Sequence, residues 1–389
     1  MNSRFLLPTL VLSAALVGCA TNRPVSVAGI AEGTVPDCAT EQHMPVSDRN
    51  PQATQKLTAL QSRLPEWLGQ STVPSAGVSY VAGGQLQWTL TCGERSEGNP
   101  ATADTLYDTA SIAKPIVGEI VLRLATQGKV SLDEPMAAFW VDPDIAEDPR
   151  RMQLTPRIAL AHQTGFRNWR RMSDGVLTFT FDPGTERGYS GEGIVYLTRF
   201  LERKLEKPFD DIARETVFDP LGIEDASFVT IAELKSRYAW GRFADSEWDE
   251  PGDYDEAEGA GRLRISSADY ARILAAVMAN DGVDAKRAAE RSGIVLDERD
   301  ERCGPDGRPI EACPQRMGFS TGWYVYEFKE GTVFAHTGRN RSEQSFAFFK
   351  PDQGIAAVMF ANGEESKGLL GKIARLIEDD ERIAIMQGY

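Results

Sequence analysis

The chain begins and ends with segments whose apolar residues recur at regular intervals. Between residues 52 and 68 the spacing is that of an amphipathic helix, with apolar positions at Leu57, Leu60, Leu64, Trp67 and Leu68. Residues 76–82 and 85–92 are instead rich in strand-forming side chains, and Gly83-Gly84 between them is a hairpin signal. The pattern therefore predicts a helix followed by a β-hairpin.

Strand-like segments return near the C-terminus, separated by short turn-forming runs. They cover residues 322–328, 332–337, 345–349 and 355–361. Apolar residues at helical spacing follow over about 364–380, which predicts a final helix. Because short turns join these segments, we expect antiparallel pairing between neighbouring strands.

The middle of the chain, about 111–300, contains mostly helical and loop-like patterns. Strands at both ends with helices between them predict a mixed α/β (α+β) fold, in which an antiparallel sheet is flanked by terminal helices and carries a mostly helical inserted domain. One domain then covers residues 51–389. Its sheet region comprises about 51–110 and 315–389, and its helical region about 111–314.

The first 18 residues predict an export signal that is not part of this fold. Arg4 supplies the positive charge, and Phe5 to Val17 is a mostly apolar stretch of 13 residues. That stretch is too short to span a bilayer, which needs about 20 residues. Leu16-Val17-Gly18-Cys19 resembles the lipobox of bacterial lipoproteins, in which the cysteine becomes the lipidated first residue. An ordinary secretory signal that happens to contain a cysteine is the alternative.

A lipid on Cys19 would hold the mature protein on a membrane while the polypeptide itself stays soluble. Residues 19–50 are rich in Thr, Pro, Ser and Ala without a hydrophobic period, which predicts a lipid-anchored tether. Ala20 after the cysteine resembles the outer-membrane class of lipoproteins. We therefore expect an exported protein on the periplasmic side, anchored to the outer membrane.

Export also bears on the other four cysteines, because an oxidising compartment favours disulfides. Four cysteines allow three pairings. We favour Cys303–Cys313, since residues 304–307 have the composition of a turn between them. Cys38–Cys92 would then form the second bridge, and free thiols are the alternative.

The charge of the chain excludes one class of partner. Lys and Arg number 42 against 57 Asp and Glu, which gives a net charge of −15. A phosphate backbone would be repelled, and no basic stripe offsets the excess, so nucleic acid is not expected as a partner. No Cys or His spacing resembles a zinc site. We therefore expect neither a metal nor another cofactor.

Ser111 is the first candidate for chemistry, because it opens an apolar helical run and precedes Lys114 by three residues. Both side chains would lie on one face of the helix. A serine hydroxyl is a poor nucleophile unless a nearby base accepts its proton, and a lysine can do so only where its surroundings depress its pKa. S-x-x-K alone occurs by chance in most long chains. An N-cap serine beside a surface lysine is the alternative interpretation.

Two further motifs change that balance. Tyr189 follows a Gly-rich turn, and His336-Thr337-Gly338 ends a predicted strand. The order and spacing of the three motifs resemble the serine β-lactamase/penicillin-binding superfamily, which carries S-x-x-K, Y-x-N and then K-T-G or H-T-G. The resemblance extends over nearly all of residues 52–380. It is closest to class C β-lactamases, D-Ala-D-Ala peptidases and family VIII carboxylesterases.

The resemblance implies a role for each motif. Ser111 would be the acylated nucleophile, with Lys114 and Tyr189 as a coupled acid/base pair. His336-Thr337-Gly338 and Arg339 would contact the substrate, and the backbone N–H groups of Ser111 and Arg339 would form the oxyanion hole. The reaction would be a two-step acyl transfer through an acyl-enzyme.

The sequence departs from the β-lactamase pattern at two positions. Gly191 stands where Y-x-N has asparagine, so the side-chain amide that holds a substrate amide is missing. His336 replaces lysine, and a mostly neutral imidazole attracts a carboxylate less than an ammonium does, although Arg339 or Arg341 could substitute. Both departures favour an uncharged ester. We therefore predict a serine hydrolase of ester or amide substrates that is carboxylesterase-like.

Alternatives stay open within the family and outside it. A D-Ala-D-Ala carboxypeptidase or peptidoglycan amidase, or a class C-like β-lactamase, would use the same residues. The substrate would then be derived from peptidoglycan or be a β-lactam rather than a small-molecule ester. A non-catalytic envelope lipoprotein that binds a partner is the alternative from another class. The sequence does not indicate an oligomeric state.

Two residues could be mistaken for catalytic groups. Ser320 lies in Gly318-Phe319-Ser320-Thr321-Gly322, which matches G-x-S-x-G literally. The nucleophile turn of an α/β-hydrolase requires a strand before the serine and a helix after it, and here a loop precedes and a strand follows. His162 lies in a stretch that resembles a structural motif of the family, so we expect a hydrogen-bonding role for it.

Overall fold

The predicted antiparallel sheet forms the centre of the protein in a computed structural model that describes residues 37–305, 307–386 and 388. The strands are β1 (Cys38–Gln42), β2 (Ser75–Ala82), β3 (Gln85–Ser96), β4 (Asn99–Pro100), β5 (Tyr107–Asp108), β6 (Gly241–Arg242), β7 (Trp248–Asp249), β8 (Arg264–Ile265), β9 (Arg316–Phe319), β10 (Tyr324–Phe328), β11 (Gly331–Arg339), β12 (Gln344–Lys350) and β13 (Ile355–Ala361). Over the described residues, nine strands form the main sheet, in the order β1-β3-β2-β13-β12-β11-β10-β9 with β4 paired to β3. All of these pairs are antiparallel, which confirms the predicted fold class.

Helices cover the sheet and fill the middle of the chain. They are α1 (Pro51–Gly69), α2 (Ala113–Thr126), α3 (Pro156–Leu160), α4 (Gly191–Leu205), α5 (Phe209–Ala213), α6 (Ser267–Met278), α7 (Ala285–Ser292), α8 (Arg299–Arg302), α9 (Lys367–Ile377) and α10 (Glu381–Met386). A π-helical turn at Arg214–Phe218 continues α5. None of the helices in the described part of the chain is both long and apolar enough to cross a membrane.

Local sequence explains the first helix and the first hairpin. The Asn50 side chain accepts a hydrogen bond from the Ala53 N–H and so caps α1, while Pro51 at the first position suits a helix start. Gly83 and Gly84 both have positive φ, 61° and 73°, as the tight turn between β2 and β3 requires. The helix therefore begins, and the hairpin turns, where the sequence predicts.

The two faces of the sheet bury separate hydrophobic cores. On one face α1 and α9 pack through residues such as Leu60, Leu64 and Ile373, all fully buried. On the other face the helical region packs around α2. Since helices cover both faces, every residue of β2 is buried. β2 also pairs directly with β13, so strands from the two ends of the chain lie side by side.

Residues 38–50, which we assigned to the tether, belong to the folded body instead. Cys38–Gln42 is the edge strand β1, and it pairs with β3 in a register that puts Cys38 opposite Cys92. The sequence does not reveal this strand, because its side chains are mostly exposed and carry no hydrophobic alternation. Residues 1–36, including the predicted export signal and Cys19, lie outside the described residues.

Both favoured disulfides are present. Cys38–Cys92 joins β1 to β3, with Cα atoms 4.0 Å apart. Cys303–Cys313 closes the loop between α8 and β9, with Cα atoms 6.2 Å apart. The predicted pairing is therefore confirmed.

Candidate active site

Ser111 lies in a tightly held turn that leads into α2. The strand pair β5–β8 comes just before it, and the Thr109 hydroxyl donates to the Leu263 carbonyl at 2.9 Å. Ala110 has φ of +47°, in the left-handed region that residues with a Cβ rarely adopt. Its N–H donates to Asp108 Oδ1 at 2.7 Å. The surrounding contacts hold a strained backbone, and strain of this kind is concentrated at functional sites.

Lys114 lies one helical turn further on and is completely buried. Its Nζ donates to Ser111 Oγ at 2.9 Å and to the Ala260 carbonyl at 2.6 Å. Within the described residues no carboxylate pairs with this amine. A serine hydroxyl in hydrogen-bond contact with a buried amine has the geometry that a nucleophile and its base require.

Tyr189 lies beside this pair without a hydrogen bond to it. Lys114 Nζ is 5.1 Å from the centre of the Tyr189 ring, which is half-buried. In the part of the chain that the structure describes, the Tyr189 hydroxyl bonds to neither Ser111 nor Lys114. Catalytic hydrogen bonds often tighten only when substrate binds, so the proximity agrees with a shared acid/base role without testing it. That role stays a prediction.

The end of β11 packs against residues 109–111, here called the nucleophile turn because Ser111 is the predicted nucleophile. A Cβ on Gly338 would lie 2.5 Å from the Thr109 carbonyl oxygen and 3.0 Å from the Ser111 backbone nitrogen, so only glycine fits there. The Ser345 hydroxyl on β12 donates to the same Thr109 oxygen at 2.6 Å. These contacts bring the strand that ends at Arg339 against Ser111, as an oxyanion hole made from both residues would need.

Ser111 opens into a cleft of about 610 Å³. Four arginines contribute to its lining, namely Arg171, Arg262, Arg339 and Arg341. Arg262 pairs with Glu258 at 3.2 Å, whereas the other three have no carboxylate partner among the described residues. Although the whole protein is acidic, the cleft around the nucleophile therefore carries unpaired positive charge.

Comparison with known proteins identifies the family. The beta-lactamase family matches residues 54–380. The chain belongs to this family. Penicillin-binding protein 4 of Amycolatopsis lactamdurans is 24% identical over 315 residues, which cover 75% of this chain and 81% of that protein. Esterase EstB of Burkholderia gladioli is 28% identical over 243 residues, which cover 49% of this chain and 61% of the esterase.

Solved structures agree with the family assignment. D-alanine carboxypeptidase AmpC from Burkholderia cenocepacia superposes with a TM-score of 0.68 at 20% identity, over 84% of this chain and 99% of that one. A class C beta-lactamase gives 0.68 at 16% identity, over 84% and 98%. Likeness at these identities shows the fold. The protein is thus a member of the β-lactamase-like superfamily of serine hydrolases, whose similar members include esterases, peptidases and β-lactamases.

The two departures from the family motifs have structural explanations. A Cβ on Gly191 would lie 2.7 Å from the Trp169 ring, so the indole occupies the space into which an asparagine side chain would extend. His336 is buried, and its Nδ1 donates to the Thr337 carbonyl at 2.7 Å. Burial and the nearby Lys114 lower the pKa of His336 to about 3, so this imidazole is neutral at pH 7.

Ser320 lies outside this arrangement. Its side chain is only 2% exposed, and its hydroxyl donates to the Glu290 carbonyl at 2.8 Å. A strand, β9, precedes Ser320, so the expected loop before it is wrong. Strand β10 follows in place of the helix that an α/β-hydrolase requires. The buried, bonded hydroxyl and this strand both argue against Ser320 as the nucleophile.

Sequence reasoning missed three contacts of the site. The Ala260 carbonyl accepts a hydrogen bond from Lys114, the Ser345 hydroxyl joins β12 to the nucleophile turn, and the Trp169 ring lies against Gly191. The stretch around Ala260 falls within the family resemblance, which was a usable signal. A backbone carbonyl and a small hydroxyl otherwise give no motif, because their roles depend on contacts between distant segments.

Proposed function

We propose that the protein is a carboxylesterase-like hydrolase that forms an acyl-enzyme on Ser111. Ser111 Oγ attacks the ester carbonyl while Lys114 accepts its proton, and the backbone N–H groups of Ser111 and Arg339 stabilise the oxyanion. Lys114 and Tyr189 return the proton to the departing alcohol. A water molecule, activated by the same pair, then releases the acid and restores the serine.

The position of Trp169 is the observation that favours ester substrates over amide substrates. An amide substrate carries an N–H and a carbonyl that a side-chain amide in Y-x-N can hold, whereas here an indole ring lies against Gly191. An ester has no N–H that needs a hydrogen-bond acceptor, so contact with the indole ring costs it no hydrogen bond. Buried polar groups left without partners cost more than lost apolar contacts, and this penalises the amide.

The proposal is tested with short-chain nitrophenyl esters, nitrocefin and a D-Ala-D-Ala peptide, with Ser111→Ala as the control. We expect turnover of the esters to exceed that of both other substrates by about tenfold or more in kcat/KM. Preferred turnover of nitrocefin or of the peptide would contradict the proposal.

A double-mutant cycle at Gly191 and Trp169 examines the reason for this preference. Gly191→Asn alone should lower all activities, because its side chain collides with the indole. Combined with Trp169→Ala, the same substitution has room and should raise the ratio of amide to ester turnover above that of Trp169→Ala alone. An unchanged ratio would mean that the missing amide is not the limitation.

A carboxypeptidase is the second candidate, and the unpaired Arg171, Arg339 and Arg341 favour it. A D-Ala-D-Ala peptide ends in a carboxylate, which guanidinium groups bind well. If the protein has this activity, Arg339→Gln and Arg341→Gln should raise KM for the peptide and leave KM for neutral esters unchanged. Equal effects on both substrates would count against recognition of the carboxylate.

We also propose that the protein is exported and held on the periplasmic side of the outer membrane by a lipid on Cys19. The lipobox-like Leu16-Val17-Gly18-Cys19 and the two disulfides support this proposal. Cys19→Ser should move the protein from the membrane fraction to the soluble fraction and remove the mass of the acyl chains. A wild-type protein without that mass would contradict the anchor.

A further inference from the structure

His162 is a buried imidazole that the proposed mechanism does not use. It is completely buried, and its φ is +58°, in the left-handed region that is uncommon for residues other than glycine. Its ring centre is 4.3 Å from that of Tyr189 and 4.6 Å from that of Phe319. A strained residue with its ring against a catalytic candidate needs a physical reason to be there.

The hydrogen bond that His162 makes reveals its tautomer. The backbone N–H of Ser190, the residue after Tyr189, donates to His162 Nδ1 at 3.2 Å. Nδ1 must therefore carry a lone pair, and the proton of the neutral ring lies on Nε2. Ser190 is also the N-cap of α4, where its hydroxyl accepts from the Gly193 N–H at 2.9 Å. His162 thus binds the junction between Tyr189 and the helix that follows it.

The surroundings keep this ring neutral. Burial lowers the pKa of His162 well below its usual value, and the charge of the nearby Lys114 lowers it further. Lys114 faces it from α2 and His336 from β11, while Tyr189 covers the ring itself. A second proton would occupy Nδ1 and break the bond from Ser190. The contact is therefore available over the whole pH range in which an esterase would work.

We propose that His162 is a positioning residue for Tyr189, because its Nδ1 holds the backbone at Ser190, the residue after it, while its tilted ring lies against the phenol ring. This inference rests on the proposed function, in which Tyr189 exchanges protons with Lys114. The other two rings around Tyr189, those of Phe319 and His336, are more distant, with centres at 6.1 and 6.2 Å. Of these three residues, His162 has the ring nearest to the phenol, and its Nδ1 also accepts from the backbone beside Tyr189.

Substituting asparagine or glutamine for His162 tests its two ring nitrogens separately. The Oδ1 of asparagine takes the place of Nδ1 and accepts from Ser190, and asparagine tolerates positive φ well. The amide nitrogen of glutamine reaches the place of Nε2 but leaves Ser190 without its acceptor. His162→Asn should therefore keep kcat for a nitrophenyl ester within about threefold. His162→Gln should lower kcat by about tenfold or more, with KM within about twofold and the pH profile of kcat displaced.

A second cycle shows whether the effect passes through Tyr189. In a Tyr189→Phe background, His162→Gln should cause no further loss, because there is no phenol left to position. Rates are normalised to folded protein, measured by circular dichroism. An equal loss in both backgrounds would mean that His162 contributes only packing. An active Gln variant beside an inactive Asn variant would mean that Nε2, not Nδ1, has the positioning role. Either result overturns the proposal.

The acylation step separates this inference from the proposed function. If the wild-type protein hydrolyses no ester, the rate at which a fluorophosphonate probe adds its mass to Ser111 replaces kcat. The same ranking of wild type, Asn and Gln variants is then expected, and its absence would reject His162 as a positioning residue.

Discussion

Two serine turns in this protein have motif letters that suggest a nucleophile, and their surroundings differ. The Ser111 hydroxyl faces a cleft and contacts a buried amine that has no carboxylate partner among the described residues. The Ser320 hydroxyl is buried and already donates to the Glu290 carbonyl. A serine becomes reactive when its proton has a base to go to and its oxygen has a substrate to reach, and only the Ser111 turn supplies both.

The backbone conformation of the Ser111 turn also differs from that of the Ser320 turn. Ala110 holds a left-handed conformation just before Ser111, and its N–H donates to Asp108 Oδ1. In the Ser320 turn the left-handed residue is Gly322, which adopts φ of 86° at little cost. A left-handed residue with a side chain thus distinguishes the turn of the predicted nucleophile from the turn of Ser320.

Exchanging each serine for alanine gives the largest expected contrast. Ser111→Ala should lower kcat for nitrophenyl acetate by about 10⁴-fold or more, because the nucleophile is lost. Ser320→Ala should stay within about threefold of wild type, since it removes one hydrogen bond from a folded turn. Intact mass after a fluorophosphonate probe checks both. If Ser320→Ala alone prevents labelling, the comparison is reversed.

Lys114→Met should separate activity from stability. The side chain keeps its length but loses the buried amine, so kcat should fall by about 10³-fold. Removing a buried polar group that has no carboxylate partner should raise the free energy of unfolding by about 1 kcal/mol. Urea unfolding and ester turnover on the same samples measure the two effects. A variant that is both active and less stable would show that Lys114 is structural.

Gly338→Ala tests the contact between β11 and the nucleophile turn. Its Cβ would collide with the Thr109 carbonyl and approach the Ser111 nitrogen, so the strand must retreat. We expect a loss of about 10²-fold in kcat, comparable with removing one oxyanion donor. Gly368→Ala is the control, because a Cβ there meets nothing within 4 Å. Equal activity of both variants would rule out the contact as a determinant of catalysis.

Glu343 gives the smallest effect, a pH dependence of stability. Burial, with Asp108 nearby, raises the pKa of Glu343 to about 8. The folded state therefore keeps a proton that the unfolded chain releases near pH 4.5, and the free energy of unfolding should fall as pH rises from about 4.5 to 8. Glu343→Gln should reduce this fall and be more stable at pH 8 by about 2 kcal/mol or more, while Asp108 and Glu298, whose pKa values burial also raises, keep part of the fall. Parallel pH profiles of the two proteins would refute the assignment.

Local patterns were sufficient to predict most of the sheet. Alternation and turn residues indicated the β2–β3 hairpin and the four strands from β10 to β13, because each of these elements is defined by its own sequence. The edge strand β1 was invisible, since an exposed strand has no apolar alternation and is held by its partner β3 and the Cys38–Cys92 bridge. A strand or helix that is stabilised by a distant partner has no recognisable local sequence pattern.

The candidate site follows the same division. The spacing of Ser111 and Lys114 predicted their contact, because three residues along a helix bring side chains together. The left-handed Ala110 and the indole beside Gly191 could not be predicted, since each is imposed by segments far away in the chain. Motifs thus predict the candidate reacting groups, whereas their surroundings depend on tertiary packing.

The pairing of β2 with β13 has a consequence for biosynthesis. Ser111 is translated more than two hundred residues before β11 and β13. A nascent polypeptide cannot complete the sheet, or bring Gly338 against the nucleophile turn, until nearly its last strand has emerged. We therefore expect the incomplete chain to have no hydrolase activity, so that the esters of the cell are not exposed to an active site before the protein is complete.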